Sequence, residues 1–210
     1  MSRRLPQSLG WLLAIPLLLL GTQGAHAASV VKQDLVDLIS LSDQIIVGQV
    51  LSVTDGLDNG VPYTEVSVLV EEAVRGNANT IYTYRQFGLL APRDMGDGTV
   101  NLNVSPDGWP RYAAGERVVL FLYQAASLTG LRTTVGLFQG KFNVRDGMVS
   151  NAIENIGLFE GVSVESGLLS DSEAKCMGSS GGAVPLADLV SIVRKAVDQR
   201  WIEEGRMSND

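Results

Sequence analysis

Residues 44–74 read QIIVGQVLSVTDGLDNGVPYTEVSVLVEEAV, and the fold turns on this stretch. Its first part, QIIVGQVLSVT (44–54), is rich in β-branched side chains. In the part after Gly60, Thr64, Val66, Val68 and Val70 alternate with Tyr63, Glu65, Ser67 and Leu69. That period of two places alternate side chains on opposite faces of a sheet. Between the two runs stands Asn59-Gly60. These residue types tolerate the positive φ that both central positions of a type I′ turn require, so the stretch predicts a β-hairpin. The acidic turn Asp55–Gly60 lacks the alternating oxygen-ligand spacing and distal Glu of a calcium loop.

The same period continues downstream. TIYTYRQFGL (80–89) predicts a third strand with Tyr82 and Tyr84 on one face and Ile81, Thr83, Arg85 and Phe87 on the other. ERVVLFLYQ (116–124) is an unbroken apolar run, which suits a strand buried on both sides. LRTTVGLFQGKFNV (131–144) predicts a fifth strand, with Gly136 and Gly140 as bulges or a sharp bend. Arg145-Asp146-Gly147 reads as a second hairpin turn leading into MVSNAI. Between the third and fourth strands, residues 90–115 carry glycines and prolines and predict a long loop with one short strand at 99–104. Loops of this length in a compact domain commonly serve function.

Two helices bracket the strands. Val31, Leu35, Leu38 and Ile39 fall at helical spacing and predict a short N-terminal helix. PLADLVSIVRKAVDQRWIEE (185–204) places Leu186, Leu189, Val190, Val193, Val197 and Trp201 on one stripe, behind Pro185 at a first-turn position. The chain between, 161–184, reads as a Gly/Ser-rich joint. The expected fold is mainly β: a five-stranded antiparallel Greek-key (OB-like) barrel over 28–160, with a C-terminal amphipathic helix packed on it. A β-sandwich is the alternative.

The first residues predict export. Arg3 and Arg4 precede the ten-residue apolar run WLLAIPLLLL, and Ala25-His26-Ala27 follows as an A-x-A cleavage site. A membrane helix needs about 20 apolar residues, so residues 1–27 read as a signal peptide cut after Ala27. The chain would then be periplasmic or secreted, with no membrane span left. Loss of two arginines deepens the formal charge from −7 to −9, which argues against nucleic acid as a partner. Cys176 is the only cysteine, so no intrachain disulfide can form, and it reads as a small buried apolar residue.

Gly178-Ser179-Ser180-Gly181-Gly182 spells the G-x-S-x-G of a hydrolase nucleophile elbow, with Ser180 in the nucleophile's place. A serine there needs a base, and in that motif the base is histidine. The single histidine, His26, leaves with the leader. A dyad with Lys141, Lys175 or Lys195 is the remaining formal route. With one Cys and no mature His, an N/S metal site cannot be assembled, and no cofactor is expected.

Four segments together carry a resemblance: Ser42–Val50, Val70–Gly76, Gly115–Leu122 and Val135–Val144. Their order and spacing resemble a group of uncharacterised exported bacterial proteins and, more distantly, the OB-like domain of netrin modules and tissue inhibitors of metalloproteinases. The resemblance implies an exported OB-like barrel that binds or restrains an extracellular protease. Those inhibitors reach a catalytic metal through an N-terminal cysteine. The expected mature end here, Ala28-Ser29-Val30, has none, so no functional residue is carried over.

The function expected is a non-catalytic binding module whose partner is another exported protein. Candidate contact residues are Trp109 and Tyr112 beside Arg93 and Arg111 on the long loop, with Tyr82 and Tyr84 as a second group. Two other readings stand beside it. One is an envelope structural or assembly component that docks through the terminal helix. The other is a carboxylate-type hydrolase drawing on Glu71, Glu72, Asp94, Asp97 or Asp107.

Overall fold

The computed structural model describes residues 31–209. The leader and cleavage site expected at 1–27 lie outside the described residues. Helix α1 (Leu35–Leu41) opens the described chain, and Asp34 and Asp37 form a capping box at its start. The hairpin of β1 (Gln44–Asp58) and β2 (Val61–Arg75) follows. Asn59 and Gly60 take φ of 49° and 80°, as the type I′ reading requires. Next come β3 (Ile81–Phe87), the two-residue strands β4 (Arg93–Asp94) and β5 (Val100–Asn101), and β6 (Arg117–Leu122). β7 (Lys141–Arg145) and β8 (Met148–Asn151) form the second expected hairpin, with Asp146 and Gly147 at φ of 51° and 75°.

The protein is mainly β, built on one antiparallel sheet of order β10-β8-β7-β6-β1-β2-β3, where β10 is Val184–Pro185. Strand alternation feeds two apolar clusters. Ile45, Val47, Val119, Phe121 and Phe142 pack with Leu35, Leu38 and Ile39 of α1 and with the terminal helix. Ile46, Val50, Val66, Val68, Val118, Leu120 and Leu122 fill the opposite side. β6 serves both, which explains its continuous apolar run. Register shifts at Val47/Gly48 and Val50/Ser52 bend β1. Gly48 permits that bend, since a Cβ there would stand 2.3 Å from the Leu69 carbonyl oxygen.

The expected five-stranded Greek-key barrel is corrected in one place: residues 131–144 are not one strand. Thr134 bridges Leu122, and the chain then turns through Gly136 and Leu137 at φ of 60° and 58° into a 3-10 turn, Leu137–Gly140. No strand of useful length is left to pair with β3. The sheet curls until Arg132 N–H donates to the Arg85 carbonyl at 2.8 Å, and there it stops without closing. The long loop differs too, since it carries the β4–β5 hairpin in place of a lone strand at 99–104.

Segment 161–184 holds more structure than its composition implies. It contains β9 (Val162–Val164), α2 (Asp171–Met177) and β10. A Ser170/Glu173 capping box nucleates α2 despite the weak apolar pattern. β9 pairs with β11 (Met207–Asn209). The terminal helix α3 spans Leu186–Asp198, shorter than the expected 185–204. Arg200 adopts φ of 52° and ends it, and Trp201 folds back fully buried into the core. Among the described residues, no helix is long and apolar enough to cross a membrane.

Candidate functional site

The loop after β5 is fastened to the end of β3 before it reaches Trp109. Leu89 N–H donates to Asn103 C=O and Ser105 N–H to Leu89 C=O, both at 2.9 Å. Gly88, at φ of 100°, makes this approach possible, because a Cβ would stand 2.5 Å from Ser105 N. Gln86 Nε2 then donates to Pro110 C=O at 3.0 Å. Between these anchors Trp109 lies with its ring centroid 6.4 Å from that of Phe87.

Beside them the parted seam leaves a cavity of about 270 Å³. Its walls include Phe87 and Trp109 on one side and Tyr123, Leu131, Arg132 and Thr133 on the other. The lining is chiefly apolar and aromatic. Arg132 is held in place at the rim: Nη1 donates to Tyr82 Oη at 2.7 Å and reaches Asp43 Oδ2 at 3.3 Å. Burial raises the Tyr82 phenol above its ordinary value, against the opposing pull of Arg132. The concavity is therefore an apolar slot with a fixed guanidinium at its edge.

The structure divides the candidate residues. Trp109 lines the cavity. Tyr82 touches its rim only through Arg132. Tyr84 and Tyr112 belong to the interior, their rings edge-on with centroids 6.1 Å apart, and burial pushes both phenols up. Tyr84 is buried and Tyr112 half-buried, so these two face the core in place of an open ligand face. Arg111 is exposed, and its carbonyl accepts from Lys141 Nζ at 2.6 Å. Arg93 is drawn away to Asp55, with Nη2 2.5 Å from Oδ1, at the root of the β4–β5 hairpin. Phe87, Tyr123, Leu131 and Arg132 were missed by local reading, because the curl of the sheet brings them together over long sequence distances.

Among the described residues, most of the hydrolase candidates are held in other contacts. Ser180 is exposed on a bend between α2 and β10, so helix precedes and strand follows, the reverse of an elbow. Lys141 is engaged by Glu116 at 2.8 Å and Lys195 by Glu173 at 2.6 Å. Glu71 takes Arg117 Nε at 2.9 Å, and Glu72 takes Arg194. These two ion pairs flank a second concavity of about 330 Å³ between α3 and the sheet. Asp94 and Asp97 accept main-chain N–H groups within their own turns. Among the described residues, no three His, Cys, Asp or Glu side chains converge to hold a metal. Cys176 is buried at the end of α2, and burial with nearby Asp188 and Glu173 pushes its thiol up to about 11.

No protein-family model, curated protein or solved structure matches this chain.

Proposed function

We propose that this chain is an exported, non-catalytic binding module that grips another exported protein through the Trp109–Phe87 cavity. The observation that carries the reading is the cavity itself. A preformed slot with aromatic walls and a fixed arginine is the kind of concavity in which a partner's large apolar side chain is buried. Arg132 Nη1 donates to Tyr82 and Asp43, which holds the guanidinium in place as one wall of the slot. Export with cleavage after Ala27 supplies the compartment, and the curled sheet with residues 131–134 is read as an OB-like barrel parted along one seam. Restraint of a periplasmic or extracellular protease is the role that follows from the sequence resemblance. The assembly reading loses its particular support, because the apolar stripe of α3 is spent on the protein's own core.

The test is capture from the exported protein fraction with the chain beginning at Ala28 as bait, beside its Trp109→Ala variant. The expected result is a partner held by the first and released by the second, with any captured protease slowed by the chain. Equal capture by both would remove the cavity from the account.

A further inference from the structure

Among the described residues, strand β3 is the last of the sheet, and part of its main chain forms a free edge. In an antiparallel ladder, alternate residues spend their N–H and C=O on the neighbouring strand. Val70 N–H donates to Thr80 C=O, and Gly88 N–H to Pro62 C=O, so the even-numbered residues of β3 face β2. Ile81, Thr83, Arg85 and Phe87 therefore turn their main-chain groups outward. Arg85 C=O is taken by Arg132 N–H, and Phe87 C=O accepts from Ser105 Oγ at 3.3 Å. Among the described residues, both groups of Ile81 and of Thr83 have no partner strand, and both residues are exposed.

Natural edges are commonly guarded by Lys, Pro or a bulge. The sequence of β3, IYTYRQF, has no Lys or Pro, its register with β2 runs without a shift, and its residues favour extended backbone. The chemistry that matches such an edge is another extended main chain. A second copy fits poorly: with the Arg85 and Phe87 carbonyls taken, the free stretch is only about 10 Å long, little on which to build the roughly 1,200 Å² of a stable interface between two copies. Phe87, at the end of the same strand, lines the cavity.

Resting on the binding-module reading, we propose that the partner contributes an extended segment that adds as a strand along Ile81–Thr83 of β3, beside the Trp109–Phe87 cavity. Main-chain bonds give the grip, and a large apolar side chain of the segment settles in the slot.

The experiment selects peptides from a displayed random library against the chain beginning at Ala28, then follows amide hydrogen exchange with each synthetic hit. Slowed exchange at Ile81 and Thr83, with about tenfold weaker binding after N-methylation of alternate peptide amides, is the expected result. Hits that lose binding to Trp109→Ala, yet leave both amides fast and tolerate N-methylation, would overturn strand addition while sparing the cavity. Hits that ignore Trp109→Ala as well would overturn both. Slow exchange at both amides that rises with protein concentration, without peptide, would assign the edge to a second copy and overturn the proposal.

Discussion

Arg132 meets β3 twice: its main-chain N–H donates to the Arg85 carbonyl at 2.8 Å, and its guanidinium donates to Tyr82 Oη at 2.7 Å. This is the point at which the curled sheet nearly closes, and the cavity opens beside it. Arg132→Ala removes the side-chain bond and the contact to Asp43 from a mostly buried site. Equilibrium urea unfolding is expected to register a loss of about 1–2 kcal/mol, from the lost charge-assisted bond to the half-buried Tyr82 hydroxyl and the lost packing of the Arg132 stem. Asp43→Asn, at a more exposed position, is expected to cost under about 1 kcal/mol.

A second prediction concerns Lys141, which is buried with its Nζ between Glu116 and the Arg111 carbonyl, 4.8 Å from the Tyr112 ring centroid. Its partner Glu116 is only partly buried. Removing the carboxylate strands an ammonium away from water, whereas removing the ammonium leaves a carboxylate that water reaches. Glu116→Ala is therefore expected to destabilise by roughly 2–3 kcal/mol and Lys141→Met by less. Denaturant unfolding of both variants at neutral pH checks the order.

Local sequence encodes some of these features and not others. Asn59-Gly60 and Asp146-Gly147 fixed both hairpins, because positive φ is a local demand written in two residues. The stripe on α3 and the shared face of Tyr82 and Tyr84 were equally legible. Residues 131–140 were not: Gly136 reads the same in a bulged strand as in the left-handed turn it forms. Gly140 was equally ambiguous, and only the fold reveals that a Cβ there would stand 2.4 Å from the Val135 carbonyl oxygen. Once that strand breaks, the sheet stays open. Of the site, Trp109 was visible from its loop, while Arg132 and Leu131 depend on a tertiary seam that no local pattern encodes.

Acid should expose a third feature. Burial pushes the Glu173 carboxyl up, but hydrogen bonds from Lys195, Ser191 and Ser170 outweigh it and bring the value down to about 2 from an ordinary 4.5. A depressed folded value means the stabilisation is whole above the unfolded value and is lost as pH falls from about 4.5 through about 2. Glu173→Gln is therefore expected to destabilise at pH 7 by roughly 2–3 kcal/mol. The gap between the variant and the parent should narrow steadily toward pH 2. Unfolding titrations across that range measure it.

Cys176 gives a fourth expectation. A buried thiol raised to about 11 stays protonated at neutral pH and presents little thiolate. Disulfide-exchange reagents should modify it slowly in the folded chain and rapidly in denaturant. Fast labelling of the native protein would contradict the placement of α2 against the core.

The most direct test of the account is a calorimetric titration of the captured partner into the chain beginning at Ala28 and into Trp109→Ala, with thermal unfolding run to establish that both are folded. Loss of roughly thirtyfold in affinity on truncating this one side chain is expected of an anchor residue. Unchanged affinity in a folded variant would mean that the partner binds elsewhere, and the cavity between Phe87 and Leu131 would have no part in recognition.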